Sequence, residues 1–148
     1  MKDEIRSFRD LECWKACRQL RIFIARKCVP HLPQDERYRL GDQMLRAARS
    51  TTANIAEGYG RFHYRDNAKF CSISRGSVHE VLDHLITAQD EGLISSELFA
   101  DAEQRFEQAI KLLNGYIAYL QRAGKSTYAK ESSEDYEVDD TNFITNNP

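Results

Sequence analysis

Residues 99–120 read FADAEQRFEQAIKLLNGYIAYL, and their spacing decides the fold. Phe99, Ala102, Phe106, Ala109, Ile110, Leu113, Ile117 and Leu120 recur at intervals of three and four, which puts them on one face of a helix. An apolar stripe of that length has to be buried against other elements. The helix extends outward to 95–123, with Ser95 or Ser96 as a simple N-cap and Gly124 as its end.

Three further segments read the same way. Residues 10–28 carry Cys13, Cys17, Leu20, Ile24 and Cys28 on one stripe with Trp14 beside it, Asp10 as N-cap, and Pro30 and Pro33 beyond. Residues 35–58 carry Tyr38, Leu45, Ala48, Thr52, Ile55, Ala56 and Tyr59, with Asp35 and Glu36 suiting the helix dipole and Gly58 and Gly60 as ending residues. Residues 65–90 carry Phe70, Ile73, Ser77, Val81, Leu85 and Ala88, with His84 at the edge and Gly92 as the stop. Four such helices on short loops predict an all-α, antiparallel up-down-up-down bundle. It occupies 10–123, after a lead-in at 1–9. Residues 124–148 are Ser/Asp/Glu-rich and aperiodic, and read as a disordered acidic tail in which Tyr136, Val138, Phe143 and Ile144 are too sparse to make a core.

The 148 residues bound the chain to one domain or two. Only 7 Gly and 3 Pro argue against a turn-rich sandwich or barrel. The longest uninterrupted apolar run is Ile22–Ala25, which cannot span a bilayer, and the charged first residues do not read as a signal peptide, so the expected location is cytoplasmic. Cys13, Cys17, Cys28 and Cys71 match no zinc spacing and read as small buried residues. No metal, other cofactor or catalytic constellation is expected: Glu80, Asp83 and His84 do not complete a di-iron motif, and no phosphate loop or nucleophile elbow is present.

The net charge of −2 hides a division. Residues 1–75 hold 16 Lys/Arg against 9 Asp/Glu, a net of +7, whereas residues 76–124 hold 3 against 8, a net of −5. A basic half and an acidic half fit a polyanion-binding face or head-to-tail self-association, and equally solvating charge on helix surfaces. The turn Tyr59-Gly60-Arg61-Phe62-His63-Tyr64-Arg65 interleaves rings and guanidinium groups, a pattern that suits single-stranded RNA. The competing reading has Phe62 and Tyr64 closing the bundle end. Lys15 and Arg18 on the first helix, and Arg39, Arg46 and Arg49 on the second, complete the candidate nucleic-acid contacts. On the second helix Arg39, Arg46, Ser50, Asn54 and Glu57 fall opposite the apolar stripe, flanked by Gln43 and Ala47, and read as an interface or as solvent-facing. Apolar flanks at Leu11, Ile22 and Val29, and at Cys71, Val78 and Leu82, predict a neighbouring subunit, with a wide stripe buried within one chain as the competing reading.

Three blocks of sequence resemble a known family. They are Phe8, Leu11, Trp14 and Lys15 (F-x-x-L-x-x-W-K); Ser50, Asn54, Ile55, Ala56, Glu57, Gly58, Gly60 and Arg61 (S-x-x-x-N-I-A-E-G-x-G-R); and Phe70, Ile73, Gly76, Ser77 and Glu80 (F-x-x-I-x-x-G-S-x-x-E). The chain resembles, over about 8–123, the proteins encoded by intervening sequences of bacterial 23S rRNA genes, also labelled the S23 ribosomal protein family. Thr51 stands where an apolar residue is usual, and the acidic tail is extra. The resemblance implies a cytoplasmic homopentameric ring, no catalytic residues, and kinship with the accessory variability proteins of diversity-generating retroelements, which bind nucleic acid and a reverse transcriptase. It also favours an interface or binding role for Ser50, Asn54 and Glu57, and for Gly76, Ser77 and Glu80. The expected function is therefore an oligomeric RNA-binding bundle, with a protein-interaction adaptor, for instance for a reverse transcriptase, as the alternative.

Overall fold

A computed structural model describes the backbone of residues 4–142 and the side chains of residues 4–127. Its helices are α1 (Glu12–Phe23), the short α2 (Gln34–Arg37), α3 (Leu40–Tyr59), α4 (Tyr64–Asp90) and α5 (Ser96–Asn142). Among the described residues there is no strand. The four long helices pack in a closed cycle, α1 on α3, α3 on α4, α4 on α5 and α5 on α1. Leu20, Ile24, Met44, Ile55, Val78, Leu85, Leu113 and Leu120 fill the middle, each under 2% exposed. Removing one such aliphatic side chain from water contributes about 1.5–3 kcal/mol. No helix among the described residues is long and apolar enough to cross a membrane.

The cysteine stripe of α1 is buried as read, and Cys13, Cys17, Cys28 and Cys71 are all free thiols. The start of this helix differs from the expectation. Asp10 closes an earlier turn, Phe8–Asp10, whose N-cap is Ser7 and whose capping box it completes from the third position. The Asp10 carboxylate accepts the amides of Arg6 and Ser7 at 3.0 Å each, which holds its carboxyl below the ordinary value, the Arg6 amide contributing most. At the other end α1 widens into a π-turn, Ile24–Cys28, before Pro30. Proline cannot supply an amide to the ladder, and the chain leaves through the tight turn Val29–His31.

The segment read as one helix from 35 is broken at Tyr38–Arg39. Arg37 donates to the carbonyls of Leu32 (3.0 Å) and Pro30 (2.8 Å), which ties α2 to the preceding loop rather than to α3. Tyr38, expected in the core stripe, is 74% exposed. On α3 the core includes Met44, Ala47 and Thr51 as well as Ala48, Thr52 and Ile55, so Ala47 does not flank a polar face. Thr51 is fully buried, and its hydroxyl donates to the Ala48 carbonyl at 2.7 Å, so the polar substitution costs no unpaired group.

On α4 the buried face is Asn67, Ala68, Cys71, Ser74, Val78, Val81, Leu85 and Ala88. Cys71 and Val78, expected as a flank for a neighbouring subunit, are core residues, and Ile73, expected in the core, is 47% exposed. Gly92 at φ 71° ends this region as predicted. Ser95 caps α5 by accepting the Leu98 amide at 3.1 Å. Gly124 does not end α5, which continues to Asn142 in place of the disordered segment expected after 123. Gly124 instead lies buried, where a Cβ would stand 3.4 Å from Arg65 Cγ, in ordinary van der Waals contact with the first turn of α4. The side chains of Tyr136 and Val138, and all of residues 143–148, lie outside the described residues.

Candidate nucleic-acid interface

The α3–α4 seam accounts first for several candidate residues. Ser50 and Ser77 meet across it, their hydroxyls 2.8 Å apart, and Asn54 donates to both the hydroxyl and the carbonyl of Ser50 at 2.9 Å. Ser74 donates to the Thr51 carbonyl at 2.7 Å. A Cβ on Gly58 would stand 2.7 Å from Asn67 Oδ1 and 2.9 Å from Phe70 Cβ, so glycine is what lets the two helices touch there. Gly58 is therefore a packing residue within α3 and not its end. Ser50, Asn54 and Ser77 do not lie on an outer face of α3 or α4; they are half-buried between the two helices of one chain. Leu11 is likewise buried within its own chain, and Ile22 is half-buried.

The remaining candidates are exposed. On α1, Lys15 and Arg18 face outward, and Lys15 Nζ lies 3.2 Å from Glu12. On α3, Arg46 and Arg49 are exposed. Arg21 bridges these helices, donating to the Thr52 hydroxyl at 2.6 Å. The two packed stretches Lys15–Arg26 and Gln43–Ala56 contain Lys15, Arg18, Arg21, Arg26, Arg46 and Arg49 and not one carboxylate. Arg39 is exposed at the start of α3, about 30 Å from the turn after Tyr59 at ~1.5 Å per residue, so the structure does not bring it to that turn. Gly76 and Glu80 lie on the outer side of α4, and none of the described residues comes within 4 Å of a Cβ at Gly76.

The turn between α3 and α4 holds its rings outward. Phe62 is 97% exposed and sits edge-on to His63, with centroids 5.3 Å apart, and Tyr64 is also exposed. Phe62 therefore does not close the bundle end. Arg61 is shared between Glu57, at 3.2 Å, and the face of Phe70, 4.9 Å from its centroid. Arg65 is exposed at the first turn of α4. Phe62, Tyr64, Arg61, Tyr59 and Asn67 line a cleft of about 390 Å³ together with Tyr116 and Tyr119 of α5. Those two tyrosines are not among the residues that the sequence pattern marks as candidates. The signal was present in the 99–120 stretch, where Tyr119 stands outside the apolar stripe.

Among the described residues no group of three or more His, Cys, Asp or Glu side chains is placed to hold a metal. Burial pushes the thiols of Cys17, Cys28 and Cys71 up to about 12, and raises Cys13 as well, so all four stay protonated and poorly nucleophilic near neutrality.

A search of curated proteins returns no match. The family profile of 23S rRNA-intervening sequence proteins matches residues 9–115, a span that runs from the Phe8–Asp10 turn through the α3–α4 seam into α5. With most of its length so matched, the chain belongs to the 23S rRNA-intervening sequence protein family.

Proposed function

We propose that this protein is a non-enzymatic up-down-up-down bundle, assembled as a homo-oligomeric ring of five in the cytoplasm, that binds RNA through its α1–α3 face. The carrying observation is the pair of stretches Lys15–Arg26 and Gln43–Ala56, six cations without a carboxylate, on packed segments whose nearest acidic residues are Glu12, Asp42 and Glu57. Such a face draws a polyanion by releasing its counterions. The family's name ties it to 23S rRNA, which supports RNA as the polyanion. A ring would repeat the face around an axis and raise the avidity of weak contacts.

The test is fluorescence anisotropy on a structured rRNA fragment across a salt series, with light-scattering mass on the same sample. Salt-sensitive binding by an oligomer is expected. Each of Arg18→Ala, Arg46→Ala and Arg49→Ala should flatten the logarithmic salt dependence by about 0.7–0.9 per lost phosphate contact. Absence of binding at low salt would overturn the reading. It would favour the adaptor alternative, in which the same basic face meets an acidic protein partner such as a retroelement reverse transcriptase.

A further inference from the structure

We propose that the cleft beside the Tyr59–Arg65 turn seats one unpaired base of a single-stranded RNA, whose neighbouring phosphates run along Arg65, Lys69 and Lys125. The proposal rests on the RNA-binding reading and adds to it the form of RNA that is taken. The cleft volume of about 390 Å³ falls in the range of small-ligand sites, ~300–1,000 Å³. Its walls are unusually aromatic for an open surface. Phe62 covers no core at all, and Tyr64 and Tyr119 are 42% and 51% exposed around the same space. A lone exposed ring needs no explanation, but three converging on one cleft form a stacking platform.

The α5 wall of the platform is held in place before any ligand arrives. Tyr116 and Tyr119 stack at 6.2 Å with their planes 20° apart, so a further flat ring can add to the pile. Asn67 donates to the Tyr116 hydroxyl at 3.1 Å and fixes that ring. The hydroxyl accepts there and still has its own proton to donate to a base edge. Burial keeps it protonated, its pKa pushed up to about 12. Around the start of α4 lies a second cleft, of about 500 Å³, whose lining includes Arg65, Lys69 and Lys125 and no carboxylate. Tyr64 and Arg65 are consecutive, so the aromatic and basic clefts flank the same helical turn. A strand crossing it would place a base on one side and phosphates on the other. Duplex RNA keeps its bases stacked within the helix and cannot offer a face to Phe62.

The experiment uses the full chain, a fluorescein-labelled oligoadenylate, and the same strand annealed to its complement, each titrated over a salt series. Phe62→Ala and Tyr119→Ala should each weaken single-strand binding by about 5- to 150-fold, the range for one base lost from an aromatic platform. The salt dependence should not change, because no phosphate contact is lost. Phe62→Tyr should bind as the unsubstituted protein does, and duplex affinity should be unaffected throughout. Unaltered urea midpoints confirm that the variants fold. Single-strand affinity that survives Phe62→Ala and Tyr119→Ala, or duplex affinity that falls equally, overturns the cleft and leaves the basic face standing. Failure of the unsubstituted protein to bind any RNA at low salt overturns both.

Discussion

The side of α4 that faces the core carries Asn67, Cys71, Ser74 and Val78, all buried, whereas the opposite side carries Lys69, Ile73, Gly76 and Glu80, all exposed. On the inner side every polar group has a use. Ser74 bonds the Thr51 carbonyl, Asn67 bonds Tyr116, and the Cys71 thiol reaches Asn67 Oδ1 at 3.5 Å. Small residues there let α3 and α4 approach until only glycine fits at position 58. On the outer side, among the described residues, Gly76 has no neighbour to make room for and Ile73 has nothing that covers it fully. Two glycines from the same family pattern thus stand in opposite situations, one explained by packing within the chain and one not.

The largest effect should come from the seam. Gly58→Leu forces a branched side chain into a gap where even a Cβ is too close to Asn67 and Phe70. Overpacking of this kind costs about 3 kcal/mol, read as a lower urea midpoint. A midpoint unchanged from the unsubstituted protein would mean that the two helices are not in contact there. Raising the pH probes the same side chemically. Below about pH 9 folded and unfolded chains both hold their thiol protons, and the cysteines cost nothing. Between about 9 and 12 the unfolded chain releases protons that buried Cys17, Cys28 and Cys71 keep. Stability then falls with rising pH by about 1.4 kcal/mol per pH unit for each thiol. Cys71→Ala, compared with its own neutral-pH midpoint, should fall less steeply by one thiol's share. An equally steep fall would mean that Cys71 titrates in the folded chain as it does in water.

The same contrast explains which parts of the fold the sequence made legible. The stripes of α1 and α5 could be read because their buried positions are the apolar ones, from Cys13 to Cys28 and from Ala102 to Leu120. The face of α4 was read too far round the helix, because Phe70 and Ile73 are more hydrophobic than the Asn67, Cys71 and Ser74 that are in fact buried. Hydropathy cannot mark a polar residue whose burial is compensated by a partner on another helix. The break after α2 was hidden for a related reason. No proline or glycine stands at Tyr38–Arg39, and the tie that makes the break runs from Arg37 to carbonyls in the preceding loop. Gly124 read as a stop, but it takes no left-handed conformation, since Gly92 is the one glycine with positive φ among the described residues. Of the candidate site, the rings and cations of the turn lie in one short run and were visible. The other wall, Tyr116 and Tyr119, comes from α5 and joins the turn only in three dimensions.

The smallest effect is expected on the outer side of α4, and it is the one that says most about assembly. Glycine inside an exposed helix costs about 0.5–1 kcal/mol relative to alanine, because the unfolded chain has more freedom to lose. Gly76 is helical and exposed, and a Cβ there would meet nothing within 4 Å. Within one chain, then, Gly76→Ala should raise the urea midpoint by that amount, opposite in sign to any larger residue at Gly58. The sign can reverse only if something beyond the described residues fills the space, such as a second copy. A second copy packed close on Ile73 and Gly76 would be pushed off by the added methyl. The variant would then show a lower light-scattering mass and a midpoint that depends on protein concentration. A stabilised variant with unchanged mass places any subunit contact elsewhere on the bundle. A destabilised one with reduced mass puts the contact on this side of α4 and gives the second glycine the same explanation as the first, with the neighbouring helix belonging to another copy.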